Sequence, residues 1–105
     1  MKNITQTEWN KLISEDNNAV ILDVRTPNEW SEGIIEYAVF LNILEPQSFM
    51  DAIEKLDKNK NYYIYCRSGA RSGQACQVMN STGIETTYNL IGGIMEWTGE
   101  THNVN

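Results

Sequence analysis

The stretch Tyr63-Ile64-Tyr65-Cys66-Arg67-Ser68-Gly69-Ala70-Arg71-Ser72-Gly73 gathers the residues of this chain that could do chemistry. Two of its three arginines stand in a loop of Ser, Gly and Ala that begins at a cysteine. Thiolate, not thiol, is the reactive form of cysteine, and neighbouring cations and unpaired amides favour it. Small residues let successive backbone N–H groups curl around an anion, and a helix that follows aims the positive end of its dipole at the same point. A strand-end cysteine followed by a plain turn is the competing reading, because free cysteine often serves as a small buried hydrophobe. Arg67 and Arg71 tip the balance. In a chain of net charge −6, their placement beside Cys66 marks an anion site built locally around a nucleophile.

The elements that must position this loop follow from apolar runs and helix signals. Four runs, 19–24, 38–43, 62–66 and 86–91, are continuously apolar, as strands covered on both faces tend to be. Between them, Thr5 and Glu8 form a capping box for a helix to about Glu15, and Thr26 and Glu29 form a second with Pro27 at the first helical position. Pro46 opens a helix that places Phe49, Ile53 and Leu56 on one face. Gly69 to about Ser81 makes another helix, closed by Gly83, and 93–97 a last short turn. Such alternation implies an α/β fold, a mostly parallel sheet of four or five strands with helices on both faces. Sites in these sheets lie beyond the carboxyl ends of the strands, which is where Cys66 falls.

Taken together, these segments resemble the single-domain rhodanese-like sulfurtransferase family. The loop from Cys66 to Ser72 is similar to the family's active-site loop. Leu22-Asp23-Val24-Arg25 with Pro27, Glu29 and Trp30 resembles its early Asp-Val-Arg signature. Leu90-Ile91-Gly92-Gly93-Ile94 with Trp97 resembles its closing Gly-Gly motif. The likeness spans about residues 5 to 99 and implies one rhodanese-like domain over 1–105, with 100–105 as a polar tail. It departs from the pattern at Gly33-Ile34-Ile35-Glu36-Tyr37-Ala38, where family members commonly carry Gly-His-Ile-Pro-Gly-Ala. The histidine and the Pro-Gly turn are both replaced.

The resemblance implies a persulfide relay. Cys66 attacks the outer sulfur of a donor such as thiosulfate or a persulfide, and the sulfur rests in a cradle formed by Arg67, Ser68, Gly69, Ala70, Arg71 and Ser72. A thiophilic acceptor then removes it. Arg71 would stabilise the cradle or lock the loop through Asp23, and the two roles are compatible. Arg67 would face solvent and attract the donor. Arg25 would pair with a nearby acid or line the entrance, and for both Arg25 and Asp23 structural pairing is favoured over direct substrate contact, which makes them supporting residues. The competing class is a module that keeps the fold and hands persulfide to one protein thiol. A phosphatase or arsenate reductase is a third reading. Phosphatase loops of this general type place five residues between Cys and Arg, and here four separate Cys66 from Arg71.

Composition narrows the partners. The excess of Asp and Glu over Lys and Arg, 14 against 8, argues against nucleic acid and anionic membranes. One histidine and two cysteines are too few for a closed zinc site, so neither metal nor cofactor is expected. The absence of an apolar leader makes a cytoplasmic location the default expectation. Cys76, ten positions beyond Cys66 on the helix that leaves the loop, reads as a core residue rather than a resolving thiol. His102, in the polar tail, reads as remote from the loop. Trp9, Trp30 and Trp97 are expected at the periphery of the core, and Tyr63 and Tyr65 on one shared face of their strand.

Overall fold

Both capping boxes close as their sequences dictate. The Thr5 side chain accepts from the Glu8 amide and Glu8 returns to Thr5, starting α1 at Gln6–Ser14. Thr26 and Glu29 do the same for the one-turn α2, Pro27–Trp30, with proline at its start. The remaining elements of the computed structural model, which describes residues 1–104, are β1 Lys2–Ile4, β2 Ala19–Asp23, β3 Val39–Phe40, α3 Pro46–Glu54, β4 Asn61–Tyr65, α4 Ala70–Ser81 and β5 Thr87–Leu90. A 3-10 turn at Ile94–Glu96 follows β5.

The five strands form one sheet in the order β1-β5-β4-β2-β3, and every pairing is parallel. Its fifth strand, β1, has no counterpart among the apolar runs: Lys-Asn-Ile is short and mostly polar, and it joins the edge beside β5, with Asn3 opposite Asn89. The run at 38–43 yields only the two residues of β3. Beyond them, the Leu41 and Ile43 amides bond to the carbonyls of Asp23 and Val24, and Asn42 turns the chain by accepting from the Leu44 amide.

Successive β4 side chains alternate between the two faces of the sheet. Tyr62, Ile64 and Cys66 join Leu22, Val24 and the α3 and α4 residues Phe49, Ile53, Ala75, Cys76 and Met79. Tyr63 and Tyr65 share the opposite face, with Ile4, Ile21 and Leu90 under Trp9 of α1. Trp9 is therefore central rather than peripheral. It is 1% exposed and meets the rings of Tyr63 and Tyr65 edge-on, at centroid distances of 5.6 and 6.2 Å. Trp30 and Trp97 do lie at the margins, Trp30 stacked on Phe40 and Trp97 packed against the second cluster.

The altered 33–38 connection keeps a tight turn by forcing it. Tyr37, where the family pattern has glycine, adopts φ 68 and leaves its ring 83% exposed. The chain end also runs back over this connection. Ile34 and His102 exchange both backbone hydrogen bonds, at 2.9 and 2.8 Å, so the first part of the polar tail is tied down; its last residue, Asn105, lies outside the described residues. Among the described residues no helix is long and apolar enough to cross a membrane.

Candidate active site

Strand β4 delivers Cys66 to the carboxyl edge of the sheet, and the chain turns at once into α4. Gly69 makes this turn, with φ 109, a conformation costly for any residue with a side chain. The turn points the Gly69 amide at Cys66 Sγ, 3.1 Å away, and brings Ser72 Oγ within 3.3 Å of the same sulfur. Cys66 is recessed at 1% exposure. Burial pushes the thiol up, but the Ser72 hydroxyl and the amides of Ser72, Gly69 and Ser68 together outweigh it, so the net shift is downward, toward thiolate.

The segment after β5 braces the loop from outside. The amides of Ile94 and Met95 donate to the carbonyls of Cys66 and Arg67, at 2.9 and 3.0 Å. This close approach explains the glycine pair. A Cβ on Gly93, at φ 57, would fall 2.6 Å from the Cys66 carbonyl oxygen and closer still to that of Arg67. Asn89 of β5 completes the support, donating to the Gly69 carbonyl at 3.1 Å and to Asn3 Oδ1 at 3.0 Å, with its Oδ1 accepting from Ser72.

Among the described residues, four of the charged side chains at the site form two locked pairs, and Arg67 belongs to neither. Asp23 does not meet Arg71. It takes Arg25, with Nη2 to Oδ2 at 2.7 Å and Nε to Oδ1 at 3.0 Å, in a pair only 4% and 0% exposed. Arg25 also donates to the Gly33 carbonyl, lies 5.6 Å from the centroid of the Tyr65 ring, and lines a cavity beside the loop. Pairing and lining thus coexist at this residue. Arg71 instead takes Glu29, in a two-pronged bond. The expectation of an Arg71–Asp23 lock fails because Arg25, two residues along the same chain, already fills both Asp23 oxygens. Arg67 is exposed and stands at the rim of the cavity, which holds about 320 Å³ and is also lined by Glu29, Glu32, Gly33, Met95 and Thr101.

Ser68, Gly69 and Ser72 therefore turn their donors on the Cys66 sulfur, Arg71 ties the loop to Glu29, and Arg25, held by Asp23, lines the cavity beside it with Arg67. Cys76 is fully buried in the α3–α4 core, and burial raises its thiol to about 11. His102 lies against the 33–38 connection, bridged to Ile34 through its backbone and with its Nε2 3.8 Å from Glu36 Oε2. Glu29, Asn89 and Gly93 were not marked as site residues by the loop motif. Glu29 and Gly93 stand inside the quoted signatures, whereas Asn89 carried no local signal.

A small-residue loop carrying a recessed cysteine at the head of a helix, on the edge of a parallel sheet, agrees with the family comparison: residues 5–100 match the Rhodanese-like domain, and the chain belongs to that family. It is 36% identical over 101 residues to YtwF of Bacillus subtilis, covering 96% of this chain and 94% of the relative. It is 35% identical over 86 residues to a protein of Allochromatium vinosum named Sulfurtransferase, covering 81% and 77%. Its fold matches the crystal structure of a Rhodanese-like Domain Protein from Staphylococcus aureus with a TM-score of 0.85, at 30% identity and over 100% of both chains.

Proposed function

We propose that this protein is a rhodanese-type sulfurtransferase that carries sulfane sulfur as a persulfide on Cys66. The observation that carries the reading is the paired approach of the Gly69 amide and the Ser72 hydroxyl to Cys66 Sγ at the head of α4. These donors favour thiolate, and the thiolate displaces sulfite from thiosulfate: the S–S bond to Cys66 forms as the donor's S–S bond breaks, and sulfite leaves with the electron pair. The negative charge then resides on the outer sulfur, within reach of the loop amides and the helix dipole. No general base acts in the transfer step, since the thiolate form of Cys66 is the attacking species and sulfite leaves as an anion.

Arg67 is the donor-attracting cation at the rim, and Arg71 holds the loop through Glu29. The loop is short for phosphate, which supports sulfur chemistry over phosphoryl or arsenate chemistry. Donors are small sulfur anions such as thiosulfate or persulfides, the acceptor is a thiophile or a protein thiol, and the reaction takes place in the cytoplasm.

Intact mass after incubation with thiosulfate tests the proposal. A gain of one sulfur atom, discharged by cyanide and missing in Cys66→Ser, is the expected result. No gain with thiosulfate, mercaptopyruvate or a persulfide would sink it. Loading from a persulfide but not from thiosulfate would instead identify a carrier that passes sulfur to one protein partner.

A further inference from the structure

Behind Cys66, buried polar side chains form a chain that reaches the edge strand of the sheet. Cys66 Sγ lies 3.3 Å from Ser72 Oγ, and Ser72 Oγ lies 2.5 Å from Asn89 Oδ1. Asn89 Nδ2 in turn donates to the Gly69 carbonyl and to Asn3 of β1. Ser72 and Asn89 are 0% and 6% exposed, so the two inner links are buried, and the chain meets solvent only at the exposed Asn3. A hydroxyl has one proton, yet Ser72 faces two acceptors whenever the sulfur is ionised. The amide orientation of Asn89 is fixed as well. The Gly69 carbonyl can only accept, so the NH₂ group must lie there and the oxygen must face Ser72.

We propose that Asn89 is a positioning residue that competes with the Cys66 thiolate for the single Ser72 proton, and so couples the ionisation of the sulfur to whether it is loaded. With a neutral thiol the chain closes: S–H donates to Ser72 Oγ, and Ser72 donates to Asn89. Ionisation turns the Ser72 proton to Sγ and leaves the Asn89 oxygen against a lone pair. In the persulfide, reached when thiolate and thiosulfate give persulfide anion and sulfite, the charge sits on the outer sulfur. Sγ is then a neutral bridging atom and a weak acceptor, and the Ser72 proton returns to Asn89. Asn89 therefore disfavours the bare thiolate relative to both the thiol and the loaded form. Only the statement about the loaded form rests on the proposed sulfur transfer; the competition for the proton does not.

Other charged and titratable groups on the surrounding elements are Arg71 and Cys76 of α4, Glu29 of α2, Asp23 and Arg25 at the end of β2, Arg67 in the loop and Glu96 beyond Gly93. Arg71 is held by Glu29 and Arg25 by Asp23, so neither guanidinium is free to follow the thiol as it titrates. The Ser72 proton is the mobile element of the site.

The pH dependence of iodoacetamide alkylation at Cys66, read by peptide mass spectrometry, tests this without any sulfur donor, so its outcome is separate from that of the loading experiment. Asn89→Leu should lower the alkylation midpoint by roughly 0.5–1 pH unit and Ser72→Ala should raise it by a similar amount, the scale of one hydrogen bond. In the Ser72→Ala background, Asn89→Leu should shift it no further. An unchanged or raised midpoint in Asn89→Leu, or an equal drop without Ser72, overturns the proposal. A second readout needs no substitution of Asn89. In the native protein its side-chain amide NMR signals should titrate with the Cys66 midpoint and cease to do so in Ser72→Ala; signals flat across that range also overturn it.

Discussion

Arg71 grips Glu29 with both prongs of its guanidinium, Nη1 to Oε1 at 2.7 Å and Nη2 to Oε2 at 2.8 Å. Glu29 Oε1 is at the same time the acceptor of the capping box at Thr26. One carboxylate thus starts α2 and fixes the first turn of α4, the turn on which the cysteine loop rests.

This double use gives a pH signature. The bond from Arg71, helped by Thr26 and opposed by burial, holds Glu29 at about 2, from an ordinary value of 4.5. The folded value is the depressed one, so the stabilisation is full above about pH 4.5 and fades as pH falls toward 2. The pair is partly exposed, and with solvent screening its contribution at neutral pH is about 1–2 kcal/mol. Urea unfolding should show Glu29→Gln less stable than the native protein by that amount at pH 7, with the gap narrowing below about pH 4.5 and closing only below about pH 2. A gap that persists in acid would assign the effect to packing rather than charge.

Tyr37 offers a gain in stability. A non-glycine residue in the left-handed region costs roughly 1–2 kcal/mol, and this ring, 83% exposed, recovers little of it by burial. Tyr37→Gly should relieve the strain while making the unfolded chain more flexible, for a net stabilisation of about 0.5–1 kcal/mol. Thermal melting checks it, and a lower melting temperature would mean that the ring has a contact worth more than the strain.

Gly93 tolerates no side chain, because the Cys66 and Arg67 carbonyls occupy the space. Gly93→Ala should push the 93–95 segment off the loop and break the Ile94 and Met95 bonds, destabilising the fold by about 2–4 kcal/mol. Denaturant midpoints measure the loss. Sulfur loading at Cys66 should fall with it even at temperatures where the variant stays folded.

The rate of loading should follow the ionisation of Cys66. Its hydrogen bonds outweigh burial and set the thiol below its ordinary range, so thiolate accumulates at lower pH than in a free cysteine, whose pKa is about 8.5. Initial rates of mass gain with thiosulfate, taken from about pH 5.5 to 10, should rise with a midpoint below the one shown by the same cysteine in the urea-unfolded chain, read by alkylation. A midpoint equal to or above that of the unfolded chain would show that burial dominates.

What could be read from the residues alone was whatever local chemistry dictates. The two capping boxes, the helix start at Pro46 and the turn at Gly69 depend on neighbours within a few positions, and each stands where the sequence placed it. Strand β1 was missed because three residues, two of them polar, carry no periodic signal; pairing with β5 alone makes them a strand. Trp9 looked marginal because α1 is mostly polar, yet it sits over two tyrosines from β4. The Arg71 partner was misassigned because two acids in the early signature are candidates, and only the fold shows that Arg25 has already taken Asp23. Asn89 was invisible for a related reason: its partners come from two distant parts of the chain, Asn3 of β1 and the Gly69–Ser72 turn that opens α4.

The buried state of Cys76 has a consequence for oxidative damage. A protonated thiol sealed in the core cannot attack a neighbouring sulfur, so an oxidised Cys66 finds no partner thiol on its own chain among the described residues. A sulfenic acid formed there must be rescued by a thiol arriving from solution, through the same opening that Arg67 guards. Without that visitor, further oxidation to the sulfinic acid is a dead end. The protein's lifetime under peroxide is therefore set by the supply of small thiols around it.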